Sequence, residues 1–167
     1  MSNKTASRLL LAILIAIGVF GLAFFLWFVP QMGRSLLDVL LDETNLTQKR
    51  YDTIFHAWLA FAWAAAIPCY AALAFAIRVA VRMGRGEAFS KGTARSITQF
   101  AWCAMADTIL VFVVNIAFLA MNFSRPVIFI AYGLVVVMGI GVYILFRILA
   151  SYVYQAATLR EEQELTV

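Results

Sequence analysis

The sequence predicts an all-α integral membrane protein with four transmembrane helices and both termini cytoplasmic. Three observations predict it. The 167-residue chain is 64% hydrophobic with only 13% charged residues, whereas a soluble domain runs nearer half apolar and about a quarter charged. That leaves too little polar surface to coat a soluble particle. The apolar residues gather into four long runs, at about 9–29, 54–77, 97–121 and 127–146. The basic residues crowd on one side of those runs, and Lys and Arg bias which loops stay in the cytoplasm.

The first run, Leu9 to Val29, carries no charge for 21 residues. As a helix it is about 31 Å long, enough to cross the hydrocarbon core. The apolar core of a cleaved signal peptide is shorter, about 7–15 residues, so a retained helix is expected. It closes on Trp27-Phe28-Val29-Pro30, an aromatic anchor followed by a breaker. Gln31 to Tyr51 is polar, with Asp38, Asp42, Glu43, Lys49 and Arg50. Leu37/Leu41 and Asp38/Asp42 share helical i, i+4 spacing, which suits a short amphipathic helix on the outer interface. Asn45-Leu46-Thr47 matches a glycosylation acceptor, a short and common pattern of little weight.

The second run, Ile54 to Ile77, is rich in alanine, and pairs such as Ala60/Ala64 and Ala72/Ala76 allow close helix approach in lipid. Pro68 removes a backbone donor in its middle and is expected to kink it. His56, near the outer end, is read as an interfacial side chain. A basic segment follows, expected as a cytoplasmic loop over 78–96. Arg78, Arg82 and Arg85 extend one face of the second helix out of the bilayer, Gly84 and Gly86 end it, and Ser90 is the N-cap of the next helix.

The third run contains Asp107 and Asn115, eight residues apart and so roughly on one face. Asn122 to Pro126 is a tight outer turn. The fourth run is dotted with Gly133, Gly139 and Gly141, and Arg147 marks its inner end. The tail, 151–167, is expected to be a cytoplasmic helical extension that frays. No linker or repeat suggests a second domain, so residues 1–167 form one four-helix unit. With both termini inside, the inner segments hold Lys4, Arg8, Arg78, Arg82, Arg85, Lys91, Arg95, Arg147 and Arg160, and the outer ones hold Arg34, Lys49, Arg50 and Arg125. Nine basic residues against four favour that orientation.

The intramembrane polar candidates are Asp107 and Asn115. Counted from the inner ends, Asp107 lies about 15 Å deep, in a layer with Gly18, Pro68, Cys69 and Gly139. An ionisable group there costs on the order of 2.5–3.5 kcal/mol by insertion scales, so it should face the bundle interior. Asp107 is open to two readings: an ion or proton site or polar latch, or a residue that only specifies packing. Asn115 reads as interhelical glue, and Cys69 and Cys103 as small buried apolar residues. The sequence contains no metalloprotease, nucleophile-elbow or phosphate-loop motif and no Cys/His cluster. No enzyme, cofactor or metal site is expected. The docking or lipid candidates are Arg78, Arg82, Arg85, Phe89 and Arg95 in the basic segment, with Leu159, Glu161, Glu162 and Leu165 in the tail.

Two stretches carry a resemblance. Gly86-Glu87-Ala88-Phe89 precedes a basic helix start and two apolar spans, and the chain closes on Leu159, Glu161, Glu162, Leu165, Thr166 and Val167. In these and in size the chain resembles a bacterial membrane family, domain of unknown function 2975. It departs where Ser90-Lys91-Gly92-Thr93 follows Phe89 in place of an acidic, Asn-containing stretch, and where Gln163-Glu164 replaces Asn-Asp. The resemblance implies a multi-pass protein of the bacterial cytoplasmic (inner) membrane. Its partners would be the lipid bilayer and a soluble helix-turn-helix regulator, with no direct nucleic acid contact and a homo-oligomer left open. The expected function is a regulatory or sensor partner that docks such a protein through the loop and tail. The alternative is an ion, proton or small-molecule transporter component using Asp107.

Overall fold

The computed structural model describes residues 3–41, 48–124 and 126–165, and they are helical almost throughout. The elements are α1 (Asn3–Ala23), a π-turn (Phe24–Phe28), α2 (Val29–Leu41), α3 (Gln48–Gly84), α4 (Lys91–Ala120) and α5 (Pro126–Leu165). Four stretches are long and apolar enough to cross a membrane: Thr5–Ser35, Lys49–Gly84, Lys91–Ala120 and Pro126–Gln163, with mean hydropathies of 3.0, 1.9, 2.2 and 2.5. The shortest has 30 residues, against about 20 needed to span, so the helices project beyond the hydrocarbon. Large apolar side chains stay exposed around the rods, as at Phe20 (75%), Ile67 (72%) and Val127 (75%). Such surface is at home in lipid and aggregation-prone in water.

Pro30 does not end the first helix. The backbone widens into the π-turn, where Val29 N–H donates to the Phe24 carbonyl. The next bond of that series would run from residue 30 to the Phe25 carbonyl, and proline has no N–H to make it. The Trp63 indole of α3 donates to the Phe25 carbonyl instead, at 3.4 Å. The helix therefore passes through the proline into α2 without abandoning that acceptor. The helix expected between 31 and 51 is thus a continuation of the first rod. Asn45-Leu46-Thr47 lies outside the described residues.

The rods stand in a row: α1 against α3, α3 against α4, and α4 against α5. At one end Ile54 and Phe55 are buried with Tyr51, Trp58, Leu59 and Phe123 around them. Trp58 packs on Phe118 (ring centroids 4.7 Å apart) and stacks on Tyr132 (5.7 Å), and its indole donates to the Phe123 carbonyl at 3.1 Å. One tryptophan thus joins α3, α4 and α5. At the other, basic end, Ala94, Ile97, Ala150 and Val153 form the core between α4 and α5. There Ser7 Oγ donates to the Ala80 carbonyl at 2.7 Å, tying α1 to α3. A Cβ on Gly84 would fall 2.5 Å from that hydroxyl oxygen, so the small residue permits the contact.

Both inter-helix turns follow from their sequences. Gly86 (φ +82°) closes α3, with Glu87 N–H donating to the Arg82 carbonyl and Gly86 N–H to that of Met83. Asn122 (φ +55°) closes α4 in the same pattern, with Phe123 N–H donating to Phe118 and Asn122 N–H to Leu119. These are left-handed helix C-caps, which favour Gly and then Asn. Pro126 opens α5, a position where its missing N–H costs nothing. Ser90 caps α4 by accepting from Thr93 N–H at 3.2 Å. The expected loop over 78–96 contracts accordingly: 78–84 completes α3, 91–96 belongs to α4, and only Arg85 to Ser90 is non-helical. The tail is one continuous helix with the fourth span as far as Leu165.

Candidate functional site

Asp107 projects from α4 into a groove of about 400 Å³ between α1, α3 and α4. Its lining includes Gly18, Gly21, Pro68, Cys69, Tyr70, Leu73 and Phe100. The layer expected from sequence is therefore real on this side: Asp107, the Pro68–Cys69 step and Gly18 meet. Gly139 does not join them. It sits on the far side of α4, where an added Cβ would overlap the Thr108 hydroxyl, and Thr108 is buried and donates to the Ala104 carbonyl at 2.8 Å.

The polar chemistry of the groove is sparse. Cys69 Sγ donates to Asp107 Oδ2 at 3.7 Å, and Asp107 Oδ1 is buried with no hydrogen-bond partner. Tyr70 Oη donates to the Gly18 carbonyl at 3.0 Å, and a Cβ on Gly18 would come within 2.9 Å of Leu73. Small residues on α1 thus bring its backbone within reach of a tyrosine on α3. Cys69 is exposed to the groove rather than buried as expected. Sequence placed it in the same layer as Asp107, but not on the face that meets it.

Asn115 turns out to face elsewhere. Eight residues at 100° each leave an offset of about 80°, enough to send Asp107 toward α3 and Asn115 toward α5. Asn115 is buried and donates through Nδ2 to the Phe129 carbonyl of α5 at 3.4 Å, while its Oδ1 has no partner. The two polar residues serve two different helix interfaces. Among the described residues, no group of three or more His, Cys, Asp or Glu side chains comes together.

At the basic end the candidates separate into held and exposed. The Arg78 guanidinium lies over the Phe75 ring, 5.3 Å from its centroid. Arg82 runs across to Gly92, where an added Cβ would overlap its guanidinium, so it braces the α3–α4 turn. Thr93 braces the same turn by donating to the Glu87 carbonyl at 2.9 Å. Arg85, Phe89 and Arg95 are exposed. Lys91, absent from the sequence-derived candidates, pairs with Glu161 of the tail. Leu159 is 61% exposed on the projecting part of α5, Glu162 is also exposed, and Leu165 ends the described helix. A second groove, of about 550 Å³, runs between α4 and α5 beside Lys91, Arg95 and Arg147.

Four long apolar helices in a row, with one carboxylate facing an intramembrane groove and basic side chains gathered at one end, define a multi-pass membrane protein. Within that class, the chain belongs to the family described as "Protein of unknown function (DUF2975)", whose model matches residues 3–167. No curated protein and no solved structure matches it.

Proposed function

We propose that this protein is a regulatory membrane partner that docks a soluble protein on the basic end of its bundle. The observation that carries the reading is the projection of α5. The helix has 40 residues, about 60 Å at 1.5 Å per residue, twice the hydrocarbon thickness. The pairing of Glu161 with Lys91 holds the projecting half against the start of α4, while Leu159 points outward. A rigid helix with an exposed leucine among acids suits helix-in-groove recognition. The basic end would be cytoplasmic, by the excess of Lys and Arg there, and the membrane the bacterial inner membrane. A helix-turn-helix regulator is the partner type that the family resemblance suggests.

Pull-down of that regulator by the full chain, compared with a chain ending at Thr158, tests the reading. Capture should fall at least tenfold without the tail, and undiminished capture would sink tail docking. A second reading is favoured by one observation, the unpartnered Asp107 Oδ1 beside the Cys69 thiol in an open groove. It makes the protein an ion- or proton-handling component. Proteoliposomes should then acidify under a proton gradient, and Asp107→Asn should abolish the flux. Equal flux from the variant and the native chain, or none from either, would end that reading.

A further inference from the structure

We propose that the groove between α4 and α5 at the basic end binds the phosphate of an anionic phospholipid headgroup. Its two walls are built from residues at helical spacing. Lys91, Arg95 and Thr98 form a stripe on α4, and Arg147, Ser151 and Tyr154 form one on α5. The buried Ala94 and Ala150 lie between them. Small residues on the floor bring the helices close, so the longer cationic and hydroxyl side chains stand up along the two rims. The groove thus offers three cations and three hydroxyls from two helices, the donor set that a phosphate oxyanion requires.

The charge balance favours an anion. Glu161 pairs with Lys91, and no carboxylate of the described residues lines the groove itself. Among the described residues, Arg95 and Arg147 make no ion pair, and both are exposed. A pair of unneutralised guanidiniums on facing helices at the edge of the hydrocarbon is a recurring form of headgroup site.

The floor beyond the groove distinguishes a lipid from free phosphate. The same stripes continue toward the membrane centre as Trp102 on α4, four residues past Thr98, and Tyr143 on α5, four residues before Arg147. Their rings lie 5.5 Å apart, and Trp102 is 55% exposed. An amphipathic aromatic pair beneath a cationic rim matches a ligand with a phosphate at one end and a glycerol and acyl chain at the other. Inorganic phosphate has no use for that lower part. The inference is independent of the docking reading, because its readout is lipid retention and not protein capture.

Native mass spectrometry of the full chain in detergent, titrated with phosphatidylglycerol, tests it. The native chain should retain the lipid in preference to phosphatidylcholine, and excess inorganic phosphate should displace it only weakly. The Arg95→Gln/Arg147→Gln pair should reduce retention about tenfold or more. Ser151→Glu, at an exposed position that leaves both arginines in place, should reduce it similarly by adding a carboxylate to the rim. Arg8→Gln, an exposed basic residue of α1 at the same end but outside the groove, should leave it unchanged. Retention unaffected by both groove variants overturns the proposal. So does an equal loss in Arg8→Gln, which would mean diffuse surface charge, or full displacement by inorganic phosphate without lipid preference.

Discussion

The two faces of α4 meet their neighbours in different ways. Toward α5 the helix is sewn down: Thr108 fills the space above Gly139, Asn115 reaches the Phe129 backbone, and Phe100 packs on Phe146 with centroids 4.4 Å apart. Toward α1 and α3 the same helix borders an open groove, and its one carboxylate meets only a thiol. The difference teaches that a polar residue in an apolar helix is interpreted by what its neighbour offers. Asn115 finds a backbone carbonyl and becomes a joint. Asp107 finds only a weak thiol donor and no backbone partner on a neighbouring helix, although on both side chains Oδ1 is left without a partner.

Substitutions on the two faces should therefore diverge. The largest effect is expected from Gly139→Leu, whose side chain would have to occupy the space of Thr108. Overpacking of this kind costs about 1–3 kcal/mol, read as a lowered thermal midpoint in detergent. A midpoint equal to the native value would mean that α5 is not seated on α4 as described. Asn115→Ala should cost less, about 0.6 and at most about 1.7 kcal/mol, the range of interhelical hydrogen bonds in membranes. Asp107→Ala should change stability least, within about 0.5 kcal/mol, because it removes no well-made contact. A loss at 107 as large as that at 115 would erase the contrast between the faces.

Much of this architecture was legible in the sequence, and the misses have physical causes. The four apolar runs, the Ser90 cap, the Gly86 and Asn122 ends and the turn after α4 follow from local chemistry that no distant contact overrides. That Asp107, Cys69, Pro68 and Gly18 share one layer was also legible, since helical rise is nearly invariant. Azimuth was not. An 80° offset between Asp107 and Asn115 decides which interface each joins, and eight residues looks close enough to two turns to suggest a shared face. Arg78 and Arg82 extend the second helix as their spacing implies, and the tail is the helical extension expected. What the loop expected over 78–96 missed is how few residues lie outside helices: Arg85, expected on the same helical face, falls in the turn that ends at Ser90, because charge alone does not end a helix. Lys91 and Arg147 were legible as basic residues at the inner ends of their spans, but not as walls of one groove, because that depends on how two helices face each other and no spacing within either helix announces it.

The π-turn before Pro30 has a consequence for phase. A single residue added to a helix rotates everything beyond it by about 100°. The wide turn at Phe24–Phe28 therefore works like a shim in a drive shaft: α1 and α2 share one rod, yet the shim sets the angle at which α2 leaves it. That angle brings Gly33 flush with Phe55 and Arg34 over the same ring, 5.1 Å from its centroid. It also turns the Arg34 carbonyl toward the Tyr51 hydroxyl, at 3.3 Å. The Trp63 indole occupies the carbonyl that the shim leaves over, so one side chain of α3 keeps the two halves of the first rod in step.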